Sequence, residues 1–154
     1  MLVTAVRFYD VVLWVHITSV VIAFGALFAY PVFLAVNSQA PIGQRAMLHR
    51  AQIAFSKRVT GPIIGLILIA GLYLAIDADV TDKPWVQIPF ALLFVIAGLG
   101  ATVLRRGEER LLAAAEAGDE ADYAAGLAPL RTWTLVTLTL VVVTIFVMTA
   151  KPFA

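Results

Sequence analysis

Two residues combine a metal-ligating side chain with a place inside an apolar run, His16 and Met148. His16 lies about five residues into the first run, ~8 Å deep at a rise of ~1.5 Å per residue. An ionisable side chain inside a membrane run is a functional-site candidate, and histidine is the commonest haem and metal ligand. Met148 is the other soft donor, near the end of the last run. A His/Met pair suits haem b and also copper. His16 is therefore the candidate cofactor and metal ligand, and Met148 its candidate partner. The bland alternative makes His16 a neutral hydrogen-bonded histidine and Met148 a filler of core space. His49 falls in a polar stretch between runs, ~20 Å or more from His16 if the bilayer separates them. It is expected to be an ordinary interfacial histidine. The chain has no cysteine, which excludes disulfides and thiolate chemistry.

The elements that must position these residues follow from composition. Of 154 residues, 62% are apolar and 14% charged, against about 45–50% and about 25% in a soluble domain. That excludes an ordinary soluble domain and a disordered chain. A net charge of +1 with no basic stripe excludes a nucleic-acid partner. Four stretches lack Asp, Glu, Lys and Arg: residues 11–36, 59–76, 84–104 and 132–150. A helix needs about 20 apolar residues to cross ~30 Å of hydrocarbon. Backbone polar groups in lipid must be bonded within the segment, so runs of this length are helices. The expected fold is all-α, a single transmembrane domain of residues 1–154 forming a four-transmembrane-helix up-down bundle. The first run exceeds the 7–15 apolar residues of a signal peptide and is expected to be a retained span.

Cations set the orientation. Residues 37–58 carry Arg45, Arg50, Lys57 and Arg58, and residues 105–131 carry Arg105, Arg106, Arg110 and Arg131. The opposite side has Arg7, Lys83 and Lys151. The basic loops 37–58 and 105–131 are thus expected to be cytoplasmic, with both termini and the acidic turn 77–83 outside. The expected location is the plasma (inner) membrane, multi-pass, with the lipid bilayer as the first partner. Residues 44–58 should extend the second helix, with Pro62 kinking or starting its embedded part. Residues 108–117 should extend the third helix to a stop at Gly118. Asp119 should cap a short further turn, and Pro129 should sit in the first turn of the fourth helix. Small and weakly polar residues mark helix contacts in lipid. His16, Ser19, Ala23, Ala26 and Tyr30 share one face of the first helix. Thr134, Thr137, Val141, Thr144 and Met148 share one face of the fourth. Gly61/Gly65 and Ala97/Ala101 are small-xxx-small pairs. Trp14, Trp85, Trp133, Tyr9 and Phe153 suit the interfacial belts.

Several short features together resemble a known group: Trp14-x-His16, Ala26-Leu27-Phe28, Pro31, Trp85 opening the third span, and the ending Lys151-Pro152-Phe153. They are similar to a bacterial superfamily of small integral-membrane proteins. It includes HemJ-type protoporphyrinogen oxidases, the membrane domain of CopD copper-resistance proteins, and an uncharacterised family of predicted integral membrane proteins. The resemblance implies a four-helix bundle and, from the oxidase branch, haem b bound through His16. That branch shows Arg and His where this chain has Val32 and Asn37, and a third-helix His and Lys where it has Gln87 and Pro89. These departures argue against oxidase activity and favour the uncharacterised branch.

Three readings of function follow. The first is a membrane protein holding haem b or copper through His16 near the outer face. The second is a non-catalytic accessory subunit of a larger membrane complex, or a self-oligomer, packing through its small-residue faces. The third is a small-molecule or copper permeation module. The spans contain no Asp, Glu, Lys or Arg, which argues against proton-coupled transport.

Overall fold

A computed structural model describes residues 6–152. Phe153 lies outside the described residues. Among the described residues there are four helical columns, each long and apolar enough to cross a membrane: Phe8–Asn37, Ile42–Asp77, Pro84–Ala117 and Glu120–Ala150. They run up and down, and the fold is all-α.

The first column is one helix, α1 (Phe8–Asn37), opened by the Arg7 backbone N–H donating to Asp10 Oδ2 at 2.9 Å. The second comprises α2 (Ile42–Phe55), a wide π turn at Ser56–Thr60, and α3 (Gly61–Asp77). Pro62 explains the wide turn. It has no N–H for the Arg58 carbonyl, and its ring crowds that carbonyl, so the helix loosens just upstream. The third column repeats the pattern with α4 (Pro84–Leu99), a π turn at Gly100–Leu104, and α5 (Arg105–Ala117). There Gly98 and Gly100 stiffen the helix poorly, and the Thr102 hydroxyl donates back to the Gly98 carbonyl at 2.7 Å.

Gly118 ends α5 in the left-handed region at φ 70°. Asp119 then accepts from the Asp122 N–H at 2.9 Å and caps α6 (Glu120–Ala150). What Asp119 caps is thus no separate short turn but the fourth helix itself. That helix starts at Glu120, well ahead of the charge-free run at 132–150, and Pro129 lies inside it rather than in its first turn. Acidic Glu120 and Asp122 favour the early start by complementing the helix dipole.

Packing differs between the two ends. At the basic end α2 lies on α5 and α5 on α6. Their core holds Tyr30, Leu34, Leu111, Ala115, Tyr123 and Leu130. Two glycines permit this closeness. A Cβ on Gly107 would lie 2.9 Å from Leu130 Cδ1, and one on Gly126 2.8 Å from Leu111 Cδ2. At the opposite end α1 packs on α3 and α4 on α6, while α3 and α4 separate beyond their turn. The expected faces hold: Ser19, Ala23 and Tyr30 of α1 and Thr134, Thr137 and Val141 of α6 are buried. The Gly61/Gly65 pair is not a contact device, since a Cβ on Gly65 would meet nothing within 4 Å.

Candidate functional site

The separation of α3 from α4 leaves a cavity of about 490 Å³ at the end carrying the 77–83 turn. Its wall is largely apolar and aromatic, with Phe24, Trp85 and Phe90 among its members. His16, Met148 and Lys151 line it too. The two residues singled out by side-chain chemistry, far apart in sequence, thus share one cavity. Trp85, expected in the interfacial belt, is part of this wall, and Lys151 Nζ sits 4.5 Å above its ring.

The setting of His16 fixes its chemistry. Its Nδ1 lies 3.2 Å from the Ile67 carbonyl of α3. A carbonyl oxygen only accepts, so Nδ1 carries the hydrogen and donates it. In a neutral imidazole that leaves Nε2 unprotonated, with a free lone pair. Gly71 makes the approach possible. A Cβ there would stand 3.1 Å from His16 Cε1 and 3.4 Å from Nδ1. A backbone carbonyl on one ring nitrogen is the usual way a protein orients a histidine whose other nitrogen binds a metal. Among the described residues, no three His, Asp or Glu side chains converge to hold a metal ion.

A second polar centre lies at the basic end, where the sequence suggests only an interfacial histidine. His49 is fully buried, which corrects that expectation. Its Nδ1 is 2.7 Å from Glu108 Oε2, and its Nε2 is 3.0 Å from the Tyr123 hydroxyl. Glu108 is itself 4% exposed. Both residues lie in the polar helical extensions, outside the charge-free runs 59–76 and 84–104. Burial pushes the Glu108 carboxyl up to about 8 and the His49 imidazole down to about 4. It thus favours the uncharged form of each group, with a proton lying on the hydrogen bond between them. Charged residues in a helix's first turn are ordinarily solvated, so composition hides Glu108. The signal that could reveal it is register: Glu108, Leu111 and Ala115 occupy one stripe of α5, and Leu111 and Ala115 are core.

Tyr30 and Glu108 also line a small cavity of about 80 Å³, together with Ser56, Thr60, Thr134 and Thr137. The Tyr30 hydroxyl and Glu108 Oε1 are both buried without a hydrogen-bond partner in the protein.

A family model described as predicted integral membrane protein (DUF2269) matches residues 10–152. The chain belongs to that family and is a multi-pass membrane protein. No match is found among curated proteins or solved structures.

Proposed function

We propose that this member of the family binds haem b in the larger cavity, where His16 Nε2 would hold it. The observation that carries the proposal is the His16–Ile67 contact at 3.2 Å, which leaves Nε2 free. Three further features support it. The volume of about 490 Å³ lies within the ~300–1,000 Å³ of small-molecule sites. The aromatic wall suits a flat apolar ring. Lys151 lines the same cavity and supplies a cation for a carboxylate at its edge. Met148 is the candidate second ligand. Haem b would supply one-electron redox chemistry there. His16 and Met148 would hold and orient the group, and the apolar wall would exclude water.

A bare copper ion fits less well. Two donors are few for copper, and the cavity far exceeds what an ion needs. The positive-inside rule supports loops 37–58 and 105–131 facing the cytoplasm of a bacterial inner membrane, with the cavity toward the outer face.

The test is an absorption spectrum of protein purified from native membranes and again after titration with haem. A Soret band is expected, lost in His16→Ala and retained in His49→Ala. A colourless protein that takes up no haem would overturn the proposal. Co-purification of that colourless protein with other chains in fixed stoichiometry would favour an accessory subunit instead.

A further inference from the structure

We propose that the small cavity between Tyr30 and Glu108 is a hydrated proton-exchange site, in which water links the Tyr30 hydroxyl to Glu108 Oε1. The inference is independent of any occupant of the larger cavity.

Two buried polar atoms without a protein partner line one space, and each belongs to a side chain almost wholly buried: Tyr30 is 3% exposed and Glu108 4%. Such atoms are normally satisfied by ordered water. The space of about 80 Å³ is roomy for water, since a molecule occupies ~30 Å³ in the liquid. The directions match as well. With Glu108 ionised, Tyr30 O–H donates to water and water donates to Oε1; with Glu108 protonated, Oε1–H donates to water and water donates to the Tyr30 oxygen. Ser56 and Thr60 in one π turn, and Gly100 and Leu104 in the other, form part of the wall. Wide turns of this kind occur frequently at functional sites.

The proton balance is simple. In the resting state Glu108 Oε1 carries the acid proton toward the water, His49 Nδ1–H donates to Oε2, and the Tyr123 hydroxyl donates to His49 Nε2. The pair is then neutral overall. Release passes that proton from the carboxyl group to the water and on to solvent. It leaves a carboxylate whose Oε2 still accepts from the Nδ1–H of a neutral His49. Uptake reverses these steps, arriving at Oε1.

The groups facing the pair come from each packed element. They are Tyr30 from α1, His49 and Arg45 from α2, Arg105 from α5, and Tyr123 with Arg131 from α6. Arg45 stands 4.7 Å above the Tyr123 ring, and Arg105 lines the cavity while bound to Glu109 at 2.9 Å. The charge of Arg131 also reaches Tyr123. Two of these arginines are paired with acids, Arg45 with Glu120 at 2.8 Å and Arg105 with Glu109 at 2.9 Å. Toward the larger cavity the site is closed by an apolar cluster that includes Phe24, Ile67, Leu93, Ile96 and Val141. Exchange is therefore with solvent at the basic end.

The chain has four glutamates, and Glu109, Glu116 and Glu120 are exposed. Infrared spectroscopy of the full chain in nanodiscs, with glutamate carboxyls isotopically labelled, thus reads Glu108 without a variant. One labelled carboxyl should remain protonated at pH 7, shift in heavy water, and lose its proton near pH 8. Glu108→Gln, which keeps an acceptor for His49 Nδ1–H, should abolish that band. Tyr30→Phe should keep the band and slow its hydrogen exchange. Three results would overturn the proposal: all four glutamates ionised at pH 7, Tyr30→Phe exchanging as fast as the parent, or sodium displacing the proton.

Discussion

The pair His49–Glu108 gives residue-scale stability a distinctive pH profile. Glu108 is raised from 4.5 to about 8, so its contribution is complete below pH 4.5 and is lost as pH rises to about 8. His49 is lowered from 6.5 to about 4, so its contribution is present above pH 6.5 and is lost as pH falls to about 4. Between pH 4.5 and 6.5 the two slopes cancel. Thermal unfolding in detergent should therefore show a plateau there and a decline from pH 6.5 to 8. Glu108→Gln should remove the decline. His49→Ala strands a buried, uncharged carboxyl and should cost about 1–3 kcal/mol, read by denaturant unfolding. In the larger cavity, Gly71→Ala pushes a methyl against the His16 ring and moves Nδ1 off the Ile67 carbonyl. Haem affinity should fall while the helical circular dichroism stays constant.

At the scale of elements, close approach is set by a few glycines. Gly126 sits where a Cβ would lie 2.8 Å from Leu111, whose side chain is fully buried and cannot retreat. Gly126→Ala should destabilise α5 against α6 by about 1–3 kcal/mol, the cost of overpacking. Gly65→Ala meets open space and should leave stability intact, which makes it the control. The helical extensions, the stop at Gly118 and the cap at Asp119 are legible in sequence, because Gly and Asp act through local backbone chemistry. The length of α6 is not. Pro129 has the character of a first-turn residue, yet the helix already runs from Glu120. The polar residues before the proline are held helical by packing on α5, which no local signal reports.

The whole molecule is closed at one end and open at the other. The basic end is held by the buried core and by cross-helix ion pairs, Arg45 to Glu120 at 2.8 Å and Arg50 to Glu116 at 2.7 Å. The open end holds the cavity. Outward-facing Phe28, Val32, Phe33, Ile69 and Phe94 are exposed and form an apolar surface suited to lipid. Because the chain has no native cysteine, single-cysteine labelling reads the orientation directly. Asp79→Cys should react with an impermeant reagent on intact cells, and Arg50→Cys should not; the opposite pattern would invert the topology.

The sequence by itself determined the membrane class, the four spans and the inward faces of α1 and α6. Those follow from backbone satisfaction in lipid and from helical periodicity, both of which act locally. It also singled out His16 and Met148 by side-chain chemistry alone. Only the tertiary structure decided that these two share a cavity, because that depends on α3 and α4 diverging. It also decided that His49 and Glu108, 59 residues apart, meet in a buried pair. Charge in a sequence reports hydrophilicity, whereas burial depends on what the neighbouring helices cover.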